Sequence, residues 1–510
     1  MTGMGDGWGA GYITDIAYEP GYYLNQSPLH LHLACLLGGV AGIAITPKTQ
    51  LAYLELGCGH GFGALVLAAS NPLWRVIGID FNPSHIAAAR DLAAEAGITN
   101  ATFFEADLAT LATDPLANEI PQADVATMHG LWSWVADPVR EGIVRLLDRK
   151  VRPGGLVQAS YNSLPGWQSA IGMQRLLHEA GRRVATRSDR QAEAGAEVVR
   201  SLAEANAAHL HNSLLVKSML EFAGRANKAY LAHEYMTESW RPCFHADVVA
   251  AFAGAKLSWV AAAQLIENFP QLMLTDEARK VMDRFDEPVM RELVKDMCVT
   301  RSLRQDVFVR GARRLSSAER DAALGDVTLA LLCRPDQFTW QIDAPVGQVD
   351  MDRSFYQPML QALEKGPQRV SALLDLHGSK RGNAGEVVGM LVGTRQATPV
   401  LAQGAEPDPT VRRLNEAAAR RFLRPDNFSA SMALATSGSG VPFLCPMLDL
   451  FVASKLQTSP EAGPAAWAKE LAVDHPETEQ QRLQEFITKL VADRAPIWRR
   501  LGALPASSGL

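Results

Sequence analysis

The chain has 510 residues, 47% of them hydrophobic and 20% charged, with a net charge of -6. That balance fits a soluble globular protein of about two to four domains, and it excludes a broad basic face for nucleic acid. The six cysteines, none in a Cys-x-x-Cys pair, exclude a disulfide framework or a zinc knuckle and read as free thiols in a reducing compartment.

The N-terminus lacks a basic segment followed by an apolar one, so no secretory signal is read there and a cytoplasmic location is expected. Its glycine-rich start predicts a disordered tail over residues 1–14. The apolar run LACLLGGVAGIAI, residues 33–45, is shorter than the roughly 20 residues of a membrane span and predicts a buried helix.

From residue 51 to 160, strand-like and helix-like patterns alternate. LAYLEL, WRVIGID, ATFFEAD, ADVATMHG and LVQASYN read as strands. ALVLAAS, SHIAAARDLAAEAG and PVREGIVRLLDRKV read as helices. This alternation predicts an α/β, Rossmann-like parallel sheet with helices on both faces. Ligands in such sheets lie at the carboxyl ends of the strands.

Residues 15–175 are assigned to this domain, and residues 176–230 to a helical insertion or linker rich in Ala, Leu and Glu. Residues 231–330 are assigned to a second, regulatory-type domain that mixes helices with closely spaced charges, in which the charge-interleaved RSLRQDVFVRGARR is expected to be a solvated helix face. Residues 331–510 form a C-terminal domain with strand-like DVTLALLC and FTWQID. Apolar strands VVGMLVGT and ATPVLA follow in a small winged-helix-like unit, and a helical tail closes the chain.

The stretch YLELGCGHGFGALVLA, residues 53–68, places glycines at 57, 59, 61 and 63 where a strand turns into a helix. Such glycines permit tight backbone and close approach of a nucleotide. No Gly-Lys-Ser or Gly-Lys-Thr follows, which excludes a P-loop. Two acids separate the remaining nucleotides. Glu55 is a poor neighbour for a pyrophosphate and suits a ligand with a cationic amino group. Asp80, ending the next strand, suits ribose hydroxyls. Ribose, no phosphate and a cationic amino-acid tail describe S-adenosylmethionine (AdoMet).

With ELGCGHGFG as a first motif and GIDFNP as a second, residues 51–160 resemble class I AdoMet-dependent methyltransferases. The resemblance implies that Glu55 and the backbone of Gly57, Cys58, Gly59 and Gly61 hold the methionine portion. It implies Asp80 on the ribose, Phe81 beside the adenine, and Asp107 with Leu108 at the adenine edge. The alternatives are that Asp107 caps a helix and that Phe81 is core. The segments MHGLWSWVAD, SYNSLPGW, YEPGYYLNQSPLHLHLACLLG and AYLAHEYMTESWRPCFHADVVAAFAGAKLSWVAAA narrow the likeness. They resemble bacterial methyltransferases with a methyltransferase regulatory domain, a group that includes rickettsial protein-lysine methyltransferases acting on outer-membrane proteins. Trp132 stands where that group's pattern has Tyr.

Methyl transfer from a sulfonium is an in-line displacement in which alignment does most of the work. A lysine acceptor must first lose a proton from a group whose free pKa is about 10.4. Residues expected at the reacting end are His129, Trp132, Trp134, Tyr161, Asn162 and Trp167. His129 is read as a base, a wall of the AdoMet pocket, or a buried histidine. Tyr18, Tyr22 and Tyr23 are placed to close over AdoMet, with at least one of them only packing. His233, Glu234, His245 and Asp247 lack the His-Glu-x-x-His spacing, so no metal is expected and the segment reads as an interface or docking surface. The partners expected are a protein substrate, such as a cell-envelope protein, or a small-molecule acceptor, with a homodimer as an option and no nucleic acid or membrane span.

Overall fold

The computed structural model describes residues 11–16, 18–184, 186–210, 213–223, 228–376, 383–472 and 476–506. Seven strands form the central sheet: β1 (Ala52–Leu56), β2 (Arg75–Asp80), β3 (Ala101–Glu105), β4 (Ala123–Met128), β5 (Val151–Asn162), β6 (Leu257–Ala262) and β7 (Leu303–Arg310). Their order is β3-β2-β1-β4-β5-β7-β6. Strands β1 to β5 run parallel, and β7 lies antiparallel between β5 and β6. The order reverses between β1 and β4, which opens a crevice at their carboxyl ends.

Helix α1 (Pro28–Leu37) is buried, as its apolar run predicts, but it starts earlier and ends before Gly38. Helix α2 (Phe62–Ser70) is buried on all sides, with no polar face. One side meets the sheet, and the other meets the C-terminal helix Pro409–Phe422, where the Phe62 and Phe422 rings lie 5.5 Å apart. Helix α3 (Pro83–Ala96) starts on Asn82, whose side chain accepts from Ser84 N, and stops at left-handed Gly97. Arg413 of the same C-terminal helix donates to Ala96 O at 2.9 Å. Helix α4 (Asp137–Lys150) is amphipathic and leads into β5. One apolar core runs from α1 and α2 into the C-terminal part, so no break in packing marks the expected boundary at 331.

Between β5 and β6 the chain leaves the sheet for α5 (Ile171–Val184), α6 (Ser188–Glu204), α7 (Leu214–Ala223), α8 (Lys228–Tyr235) and α9 (His245–Ala253). The insertion has its own core around Met173, Leu177, Val199 and Leu231. Between β6 and β7 stand α10 (Pro270–Met273), α11 (Asp276–Met282) and α12 (Pro288–Cys298).

Several expectations are corrected here. RSLRQDVFVRGARR is not a solvated helix face, because its centre is strand β7, and Arg304 in it is fully buried. Residues 231–330 carry, besides their helices, two strands of the central sheet. VVGMLVGT is helical, lying mostly in the helix Ala384–Gly393. The tail expected over 1–14 falls partly outside the described residues. Its residues 11–14 are packed: Gly11 O accepts from Glu238 N at 3.0 Å, and Ile13 joins the insertion core. Strands Thr328–Leu331, Gln368–Arg369 and Ala397–Pro399 form a small antiparallel sheet in the C-terminal part. No helix among the described residues is long and apolar enough to cross a membrane.

Candidate active site

The glycine turn after β1 forms one wall of a cavity of about 890 Å³. Gly57, Gly59 and Gly61 have φ of 71°, 52° and 70°, a region that only glycine enters freely. Gly57, Cys58 and Gly59 line the cavity; Gly61 does not. A Cβ on Gly61 would come within 2.6 Å of the Phe103 ring and 2.7 Å of Ala89 Cβ. Its role is close packing of the turn against α3 and β3, which corrects its expected place against a ligand.

Glu55, next to last in β1, lines the same cavity. Its Oε1 accepts from Gln26 Nε2 at 3.0 Å, while the buried Oε2 has no hydrogen-bond partner. Burial pushes its carboxyl up to about 7, against the pull of the Gln26 bond. An orphaned carboxylate oxygen beside an open cavity fits a cationic amino group. Asp80 is held differently. Its Oδ2 accepts from Gly59 N at 2.9 Å, and its Oδ1 from Asn82 N at 2.9 Å, with His85 Nδ1 at 3.3 Å. The β2 carboxylate is thereby tied to the turn after β1.

Phe81, Asp107 and Leu108 also line the cavity. Asp107 Oδ1 accepts from Ala109 N at 2.8 Å in the turn that follows β3, and the residue lines the cavity. The segment before α1 lines the cavity as well. Tyr12 sets its ring edge-on to Phe81 at 5.7 Å, and Tyr18 and Tyr23 line the wall, whereas Tyr22 is core. Ile16 O accepts from His233 Nε2 at 3.0 Å, and Asp15 accepts from Ser188 N at 2.8 Å, so the insertion ties this segment down.

A second cavity, about 450 Å³, adjoins the first. Tyr12, Tyr18, Tyr23, His129, Gly130 and Trp134 line both. The second is completed by Asn162 at the end of β5, by Trp167 after it, by Tyr230, Glu234 and Tyr235 of α8, and by Leu303 of β7. His129 stacks on Tyr23 at 3.6 Å, and burial pushes its imidazole down to about 4.

Two expected catalytic residues lie elsewhere. Trp132 is core: its ring meets Phe252 at 5.0 Å with Arg140 above it, and it lines neither cavity. Tyr161 is fully buried, donates to Asp306, and lies 3.2 Å from His245 Nδ1. Arg304 joins Asp306 at 3.0 Å, Asp296 at 2.7 Å and Glu292 at 2.8 Å. Against the upward push of burial, Arg304 and His245 hold the Asp306 carboxyl well below the usual range. Tyr161 thus belongs to the ionic network that docks β7 and α12. Gln26 and Tyr12 stand at these cavities without having been singled out in the sequence, and Glu234, read there as part of a docking segment, lines the second cavity. Gln26 and Glu234 face their partners across 29 and 72 positions, a relation no local motif carries.

Comparison with known proteins agrees with this geometry. A family model described as a methyltransferase domain matches residues 54–155, and one described as a predicted methyltransferase regulatory domain matches residues 227–310. An uncharacterised protein of Synechocystis sp. is 32% identical over 366 residues, which span 72% of this chain and 71% of that protein. The chain belongs to the AdoMet-dependent methyltransferases that carry a methyltransferase regulatory domain. An uncharacterised protein of Rickettsia prowazekii is 27% identical over 166 residues, covering 32% of this methyltransferase and 63% of that protein. The structure of PKMT2 from Rickettsia typhi in complex with AdoHcy has the same fold, with a TM-score of 0.67 at 14% identity over 95% of this chain and 100% of that one. The regulatory-domain match runs from α8 to the end of β7. In this methyltransferase that segment both completes the sheet and walls the second cavity.

Proposed function

We propose that this methyltransferase transfers the methyl group of AdoMet to lysine side chains of a protein acceptor. AdoMet is held in the larger cavity, where it supplies a methyl group on a sulfonium. Glu55 Oε2 pairs with its ammonium, and the turn from Gly57 to Gly59 approaches the methionine portion. Asp80 takes the ribose, while Phe81, Asp107 and Leu108 border the adenine. His129, neutral at neutral pH because burial lowers it to about 4, serves as a wall rather than as the base. The AdoHcy complex of PKMT2, which shares the fold, supports this cofactor.

The observation that carries the lysine reading is the second cavity. It shares six lining residues with the first and is walled by tyrosines and tryptophans. Aromatic faces hold an alkylammonium and exclude the water that would keep it protonated. The test is transfer from labelled AdoMet into cell-envelope protein fractions, with the label placed by mass spectrometry. Label on lysine supports the reading. Label only in a small molecule or glycan, or AdoMet binding without turnover, overturns it.

A further inference from the structure

Glu234 is a carboxylate that the reaction described above leaves unused. It sits on α8, at the start of the segment matched as a regulatory domain, and lines the second cavity. Asn162, at the end of β5, donates from Nδ2 to Glu234 Oε1 at 3.1 Å. Among the described residues lining this cavity there is no lysine or arginine, and Glu234 is its one carboxylate. Tyr18, Trp134, Trp167, Tyr230 and Tyr235 supply aromatic walls around it. A carboxylate in such surroundings is costly unless a cation enters to pair with it.

We propose that Glu234, positioned by Asn162, is the acceptor-amine site of this enzyme: it pairs with the incoming alkylammonium and takes its proton. This rests on the lysine reading above and names the residue that enforces it. One N–H proton passes from the acceptor ammonium to the Glu234 carboxylate. The freed nitrogen lone pair attacks the methyl carbon, the C–N bond forms, and the S–CH₃ bond breaks with its electron pair left on sulfur. The product is an N-methylammonium and a neutral thioether, and Glu234 returns its proton to water.

Burial pushes the Glu234 carboxyl up to about 7, against the pull of the Asn162 bond. A group near neutrality can both accept and release a proton at the working pH, which suits it better than His129. A hydroxyl acceptor would leave the carboxylate without a counter-charge, so the site selects amines over alcohols. The segment matched as regulatory is then a part of the reacting site.

The test uses the full chain loaded with AdoHcy and two probes of equal reach, n-butylammonium and n-butanol, followed by intrinsic tryptophan fluorescence. Transfer from labelled AdoMet to Nα-acetyl-lysine amide is measured in parallel. The wild type is expected to bind butylammonium at least about tenfold more tightly than butanol, and Glu234→Gln to lose that preference and the transfer while still binding AdoMet. If Glu234→Gln fails to bind AdoMet, Glu234→Asp carries the test: a folded Asp variant keeps the cation preference with about tenfold weaker binding. A Gln variant with wild-type butylammonium affinity and transfer, or an Asp variant with wild-type affinity, overturns the role of Glu234 and leaves the lysine reading standing. A wild type that binds AdoMet but prefers butanol, or methylates only hydroxyls, overturns both.

Discussion

Gln26 holds one oxygen of Glu55 and leaves the other bare: Nε2 donates to Oε1 at 3.0 Å, and Oε2 is buried without a partner. The carboxylate is thus oriented before any cation arrives. Glu55→Gln keeps the shape and removes the charge, so AdoMet affinity is expected to fall about ten- to a hundredfold, the value of a hydrogen bond to a charged group. Since the carboxyl titrates at about 7 without ligand, binding below that pH must expel its proton. Wild-type affinity should therefore drop about tenfold per pH unit below 7 and level off above, while the Gln variant stays flat. Calorimetry between pH 5.5 and 8.5 checks both.

The same carboxyl sets a stability profile. Its folded pKa is raised by burial from 4.5 to about 7, so between these values the folded state holds a proton that the unfolded state has released. The contribution is fully present below the unfolded pKa and is lost as pH rises through about 7, by a few kcal/mol on the order of 1.4 per unit. Measured against Glu55→Gln, the ligand-free wild type should lose stability from pH 4.5 to 7 and then plateau; the difference separates this carboxyl from Glu234, raised alike, and from His129, which burial shifts the other way. AdoMet should raise Tm more at pH 8 than at pH 5.5. Thermal melts with and without AdoMet decide it.

The first five strands and the pair Glu55 and Asp80 were legible because they depend on local pattern, apolar runs ending at glycine or acid. Strand β7 was not. LRQDVFVR carries Arg304 and Asp306 inward, where they pair with each other and with Glu292, Asp296 and His245 from α12 and α9. Charges that read as solvent-facing are in fact paired in the interior. Trp132 and Tyr161 failed for a related reason: strand-end aromatics point to a cavity or to core according to what packs on them, and here that is Phe252 and Asp306, about 120 and 145 positions later.

Gly61 and Gly59 both have positive φ, yet a side chain meets different surroundings at each. At Gly61 a Cβ would strike Phe103 and Ala89, whereas at Gly59 nothing lies within 4 Å. Gly61→Ala should cost about 2–4 kcal/mol from strain and overpacking together, and Gly59→Ala about 1 kcal/mol from backbone strain alone. AdoMet affinity should suffer more in Gly59→Ala, because Gly59 lines the cavity and Gly61 does not. Denaturant melts and AdoMet titrations of the two variants separate these effects.

Trp132 and Trp134 stand two residues apart with opposite roles. Trp132 packs on Phe252 in the core, and Trp134 lines both cavities. Trp132→Leu is expected to lower stability by about 2–4 kcal/mol while the folded fraction keeps its kcat. Trp134→Leu is expected to leave Tm within a few degrees and to lower kcat/KM for the amine acceptor by about tenfold or more. Activity per folded molecule, measured beside the melts, distinguishes the two.

Arg304 joins three carboxylates, those of Asp306, Asp296 and Glu292, at full burial. Removing its charge strands them, which costs about 3–5 kcal/mol. Asp306 also takes the Tyr161 hydroxyl of β5 and the His245 imidazole of α9. The loss therefore falls on the seam that joins the regulatory-domain segment to the first five strands. Arg304→Met should loosen β7 and α12 first. Hydrogen exchange should show protection lost in residues 303–310 and 288–298 before β1 to β4, with AdoMet affinity retained and acceptor methylation reduced, because Leu303 walls the second cavity and not the first. Equal loss of protection across all seven strands would mean that the sheet unfolds as one unit and that the seam is no weaker than the rest.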